Sequence, residues 1–97
     1  MNPARLIVTA EGGAIDATIA RGTREIFVRC SDPNIKILAM TVEVYKVYYT
    51  MYMPAVPESG RIVIDEMLNN GEGPVSLSLH AFFSNSSEDF VQFDIVN

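Results

Sequence analysis

His80 and Cys30 are the only histidine and the only cysteine in the chain, and they are the side chains best suited to proton transfer and nucleophilic attack. Either chemistry needs an oriented partner: a base within hydrogen-bond reach of the nucleophile, and a third group that holds the base. His80 lies between Ser78 and Phe82 on the outward parity of an alternating run, and no spacing sets a serine, cysteine or carboxylate beside it. It reads as a surface or interface histidine. Cys30 shares the parity of Ile26 and Val28, where a free thiol behaves as a small buried hydrophobe. A reactive thiolate needs an accessible, electropositive setting instead. One histidine and one cysteine supply only two of the soft ligands that zinc takes, which excludes a structural zinc site. The sequence therefore assigns no catalytic, metal-ligating or cofactor-binding residue, and the expectation is a protein that is not an enzyme and carries no cofactor.

The carboxylates Asp32, Glu58, Asp65 with Glu66, Glu72, and Glu88 with Asp89 fall in candidate loops. Calcium binds such loops in many sandwich modules through several hard oxygens. No Asp-x-Asp or Asp-x-Asn-x-Asp spacing occurs, so these read as solvated acidic loops. A glycosidase pair needs a fixed separation within a cleft, and a chain of this length seldom encloses one. Asn85-Ser86-Ser87 matches the glycosylation sequon, a triplet that arises readily by chance in a serine-rich loop.

The most informative stretch is aromatic. Tyr45, Tyr48, Tyr49 and Tyr52 recur at i, i+3, i+4 and i+7, which would align them on one helix face. The surrounding Val, Thr and Tyr residues favour a strand. As a strand, Tyr45 and Tyr49 point one way and Tyr48 and Tyr52 the other, so the segment is apolar on both sides. Tyr and Met bury much area at modest entropic cost and are enriched at protein interfaces. Tyr45, Tyr48, Tyr49, Met51, Tyr52 and Met53 are therefore read as an interface, with internal packing and a sugar-stacking platform as the alternatives.

Short strands dominate the elements that position these residues. Leu6, Val8 and Ala10 alternate with Arg5, Ile7 and Thr9, and Ile15, Ala17 and Ile19 follow after the Glu11–Ala14 turn. Ile26, Val28 and Cys30 form the next inward row. A longer strand runs from Ile35 to about Tyr45 with Leu38, Met40, Val42 and Val44 inward. Near Lys46 the parity switches, so that Val47, Tyr49, Met51 and Met53 share a face, which requires a bulge, a bend or a new environment. Two prolines break the Pro54–Gly60 segment. Ile62 and Ile64 lead to one helical turn at Glu66–Leu68, and residues 69–74 form a Gly-rich turn. Val75, Leu77, Leu79, Ala81 and Phe83 alternate with Ser76, Ser78, His80 and Phe82, and the final strand carries Val91, Phe93 and Ile95 inward. That pair forms a terminal hairpin.

The chain has 97 residues, 48% of them hydrophobic, with a net charge of -5. That size allows one domain, residues 1–97, burying roughly 64% of the unfolded surface. The acidic balance lacks the basic surplus that phosphate tracking needs, so nucleic acid is not an expected partner. Thr9, Glu11 and Gly12 interrupt the apolar start, so no signal peptide is expected. The richest apolar window, residues 35–53, contains Lys36, Glu43 and Lys46, so no membrane span is expected either. The unpaired cysteine suits a reducing compartment.

Seven to eight short strands with turns at near-regular spacing indicate an all-β antiparallel sandwich, with a jelly roll or small barrel as runner-up. A split first strand, a cysteine on the second, a long third strand, a proline-broken crossover and a hairpin of the form VSLSLHAFF then FVQFDIV together resemble an immunoglobulin-like domain. Without tryptophan, a second cysteine or a tyrosine corner, the resemblance is to the generic bacterial and viral sandwich type. It implies a structural or interaction protein that docks on itself or on a larger assembly, such as a capsid decoration or tail protein of a virion, in the virion or a cytoplasmic assembly. The alternative is a carbohydrate-binding or adhesin module from a secreted bacterial protein, placed at the cell surface and binding a glycan.

Overall fold

A computed structural model of the chain describes residues 3–11, 13–45, 49–69 and 75–96. In chain order the elements are β1 (Leu6–Ala10), β2 (Gly13–Ala14), β3 (Thr18–Ala20), β4 (Glu25–Cys30), β5 (Ile37–Tyr45), β6 (Tyr49–Met53), β7 (Arg61–Val63), α1 (Asp65–Asn69), β8 (Ser76–Phe83) and β9 (Glu88–Val96). They form a four-stranded sheet ordered β2-β1-β4-β7 and a five-stranded sheet ordered β3-β9-β8-β5-β6. The two sheets enclose one apolar core, which makes the fold an all-β sandwich rather than a closed barrel.

Period-two patterning produces this arrangement, because successive strand side chains face opposite sides. Leu6 and Val8, Ile26, Val28 and Cys30, and Ile62 line the inner face of the four-stranded sheet. Met40, Val42 and Val44, with Leu77, Leu79, Ala81, Phe83 and Phe93, line the facing sheet, and all belong to one buried cluster. Burying each large apolar side chain contributes about 1.5–3 kcal/mol. The turn after β7 is helical as the sequence suggests, and it buries Met67 and Leu68 under the core. Asp89 ties the layers together at one end: its Oδ2 accepts the Leu6 backbone N–H at 2.8 Å, joining the start of β1 to the start of β9.

Four sequence expectations are corrected. The described residues contain nine strand segments, not seven to eight, because the stretch after β1 breaks into β2 in one sheet and β3 in the other. The sandwich is not wholly antiparallel, since β3 runs parallel to β9, with Ile19 beside Ile95. Leu38 is not in the core. The β5–β8 register shifts between Ile37 and Ala39, a bulge that inserts one residue and leaves Leu38 55% exposed while Met40 is fully buried. Val75 precedes β8 and is exposed, whereas Ser76 is buried, so the inward alternation of that strand starts only at Leu77.

The β8–β9 hairpin closes through an unusual serine. Ser86 has φ 70°, its N–H donates to the Phe83 carbonyl at 3.1 Å, and the Phe83 N–H donates to the Ser87 carbonyl at 2.8 Å. A turn closed by a left-handed residue normally takes glycine there. Ser86→Gly removes about 1–2 kcal/mol of torsional cost, partly offset by greater unfolded-state freedom. The expected net gain is about 0.5–1 kcal/mol, read as a higher denaturant midpoint at unchanged slope.

Candidate interaction surface

The outer face of the five-stranded sheet carries an aromatic row set by strand register. Phe90 on β9 lies opposite His80 on β8, His80 opposite Thr41 on β5, and Thr41 opposite Tyr52 on β6. Cross-strand neighbours on one face sit about 4.5–5.5 Å apart, so the row runs across four strands as a continuous strip. The His80 ring stacks on Phe82 at a centroid distance of 4.5 Å and meets Phe90 edge-on at 6.0 Å. Its Nε2 lies 3.4 Å from Glu88 Oε1. Edge-to-face and offset ring pairs add about 0.5–1.5 kcal/mol beyond area burial, so His80, Phe82 and Phe90 brace one another at the centre of an aromatic platform.

Much of this platform faces solvent. Tyr52 is 63% exposed and Phe90 57%; Tyr45, 70% exposed, stands apart on the same face, beyond the polar row of Thr50, Glu43 and Ser78. The charged strand residues of this face are Glu43, Glu88 and Asp94, and among the described strand positions it holds no lysine or arginine. The opposite outer face, on the four-stranded sheet, is different in kind: Arg61 on β7 pairs with Glu25 on β4, and Arg29 stands beside the half-exposed Phe27.

The six residues expected to form one interface are divided by the structure. Tyr45 and Tyr52 lie on the outer face. Tyr49, Met51 and Met53 share the inner face of β6, opposite Val44, Val42 and Met40, and the two methionines pack against the core. The parity switch near Lys46 therefore has a simple cause: β5 and β6 are the arms of an antiparallel hairpin. For the same reason Tyr45 and Tyr49 point to opposite faces instead of the same one, and Met51 and Met53 do not join the outer aromatic surface. Tyr48, Lys46, Val47 and Glu72 lie outside the described residues.

Phe82 and Phe90 are not among the residues read from the sequence as the interface, and Leu38 is read there as core. The available signal was parity, since Phe82 and Phe90 occupy outward positions whose neighbours are Ser78, His80, Gln92 and Asp94. His80 and Cys30 are not brought together. His80 stands on the outer face of one sheet, while Cys30 is buried on the inner face of the other. Cys30 lines a cleft of about 510 Å³ between β4, the segment before β5 and the Val56–Gly60 loop, but no histidine reaches it. Among the described residues no group of three or more His, Cys, Asp or Glu side chains is placed to hold a metal ion. None of the described helices is long and apolar enough to cross a membrane. The chain matches no family model, no curated protein and no solved structure, so any function must be argued from this sheet face and its chemistry.

Proposed function

We propose that this protein is a non-enzymatic interaction module of the immunoglobulin-like kind, docking on a protein partner in a larger assembly through the outer face of its five-stranded sheet. The observation that carries the reading is the strip in which exposed Phe90 and Tyr52 flank half-buried His80, extended by half-buried Phe82. Exposed aromatic residues clustered on a rigid sheet are the composition of binding hot spots, and an isolated soluble domain gains nothing by leaving them in water. The immunoglobulin-like assignment is supported by strand order. The first strand is shared out between the sheets, β1 beside β4 and β3 parallel to the last strand, and a hairpin-linked pair follows at the β5–β6 edge. Analogy at this level favours a virion component such as a capsid decoration or tail protein, held in the virion or a cytoplasmic assembly. The acidic flanks Glu43, Glu88 and Asp94 suit a partner whose apolar patch is rimmed by lysine or arginine, with association slowed by salt.

Co-sedimentation with the native particle tests this. Wild-type protein is expected in the particle fraction, and Tyr52→Ala or Phe90→Ala is expected to weaken retention about 30-fold, the effect of losing about 2 kcal/mol at a hot spot. Circular dichroism should be unchanged, because both residues are exposed. Wild-type protein that stays in the soluble fraction would overturn the reading. Saturable glycan-array binding that disappears on Tyr52→Ala would replace it with the carbohydrate-binding one.

A further inference from the structure

β6 is the long unprotected edge of the sandwich. Sheet edges expose unpaired N–H and C=O groups, and folded proteins blunt them with short strands, charges, prolines or bulges. The other three edges follow that rule: β2 has two residues, β3 three, and β7 three including Arg61. By contrast, β6 presents five consecutive residues, Tyr49-Thr50-Met51-Tyr52-Met53, with no charge, proline or glycine. Among the described residues no strand lies beyond it. The five-stranded sheet is also one strand wider than the sheet it faces. Tyr49 on the inner row of β6 remains 47% exposed, although its cross-strand neighbour Val44 is buried.

We infer that β6 pairs with β6 of a second copy, antiparallel about a two-fold axis at Met51, so that the two five-stranded sheets become one of ten strands. Three observations favour a second copy as the occupant. The strand is self-complementary: pairing centred on Met51 overlaps all five residues and sets Tyr49 opposite Met53 of the second copy and Thr50 opposite its Tyr52. Inward side chains then stay inward and outward ones outward, as register demands. Charge points the same way. Each copy carries a net charge of -5, and residues 49–57 contain no ionised side chain, so two acidic chains can approach along this edge without opposing like charges. Closure is the third. A two-fold pairing consumes the β6 edge of both copies and leaves at each end of the joined sheet the three-residue β3 and the part of β9 that β3 does not cover, which carries Glu88 and Asp89.

A five-residue strand pair is smaller than the surfaces of about 1,200 Å² or more that hold permanent dimers, so the dimer is reversible and strengthened by salt, which screens the net repulsion. This inference rests on the sheet edge and is independent of docking through the outer face.

Sedimentation equilibrium from micromolar to millimolar protein tests it. The wild-type mass is expected to rise from 10.7 kDa toward twice that value and no further, more readily at high salt, while Met51→Lys remains monomeric. Because Met51 also packs on the core, a cross-link provides the second measurement. Opposed Cα atoms in antiparallel strands are about 4.5–5.5 Å apart, within disulfide reach, so Met51→Cys is expected to form a covalent dimer on mild oxidation. Thr50→Cys, which faces Tyr52 of the second copy, should cross-link far more slowly, and wild-type protein with buried Cys30 alone should not cross-link. Phe90→Ala, which impairs outer-face docking, leaves the dimer intact. A wild-type mass fixed at the monomer value, growth past the dimer, or equal cross-linking of Met51→Cys and Thr50→Cys would each overturn the inference.

Discussion

Gly60→Ala is expected to destabilise the protein by about 3 kcal/mol, the sum of two costs that the structure places at one residue. Gly60 has φ 71°, in the left-handed region that costs an L side chain about 1–2 kcal/mol. A Cβ there would also collide with the backbone carbonyl oxygen of Val28, and relieving such overpacking costs about 1–3 kcal/mol more. The collision cannot be relaxed by a rotamer change, because the opposing atom is backbone. Nor can the loop simply retreat: the Val28 N–H donates to the Gly60 carbonyl at 2.9 Å, and the Gly60 N–H donates to the Pro57 carbonyl at 2.8 Å. This contact brings the crossover from β6 back to the four-stranded sheet and sets the start of β7. For a domain of this size, 3 kcal/mol lowers the melting temperature by roughly 10–20 °C. Gly22→Ala provides the control, since Gly22 has φ 97° but open space where a Cβ would stand, and it should lose only the torsional share. Equal melting temperatures for the two variants would show that Val28 does not press on Gly60.

Met40→Ala is expected to cost about 2–5 kcal/mol, the range for large-to-small changes in a core that cannot fully collapse. Leu38→Ala, two residues away, should stay within about 0.5 kcal/mol. Strict alternation places both residues inward and would make both substitutions costly. The bulge between Ile37 and Ala39 separates them, with Met40 fully buried between Val42 and the residues of β8, and Leu38 55% exposed. Urea titrations of the two variants measure the difference directly, through the change in midpoint at constant slope. A large loss for Leu38→Ala would mean that the alternation of β5 runs unbroken through Leu38 and that no bulge separates it from Met40.

The local pattern of the chain made much of the sandwich legible. Inward rows such as Leu6 with Val8, Ile26 with Val28 and Cys30, and Leu77 with Leu79, Ala81 and Phe83 follow from a period of two, because a half-buried strand must segregate its faces. The parity switch near Lys46 was equally visible, since it depends only on which residues are apolar. Its cause was not, because a hairpin, a bulge and a bend all reverse parity, and pattern alone does not say where the chain turns back. The misplacement of Leu38 has the same origin: an inserted residue leaves no mark in an apolar run such as Ile35-Lys36-Ile37-Leu38-Ala39-Met40.

The candidate surface shows this division most clearly. Tyr45 and Tyr52 could be chosen from residue type alone. Phe90, His80 and Tyr52 are separated in the chain by 10 and 28 residues, and only the antiparallel registers of β9, β8, β5 and β6 set them in one row. The same registers carried Tyr49, Met51 and Met53 to the inner side of an edge strand. By itself the sequence determined which side chains are apolar, that they alternate, and hence that the chain folds as strands around a core. Tertiary structure decided which strands lie side by side, and therefore which aromatic residues share a face, because pairing between distant segments depends on where the chain reverses and on long-range packing that a local pattern does not encode.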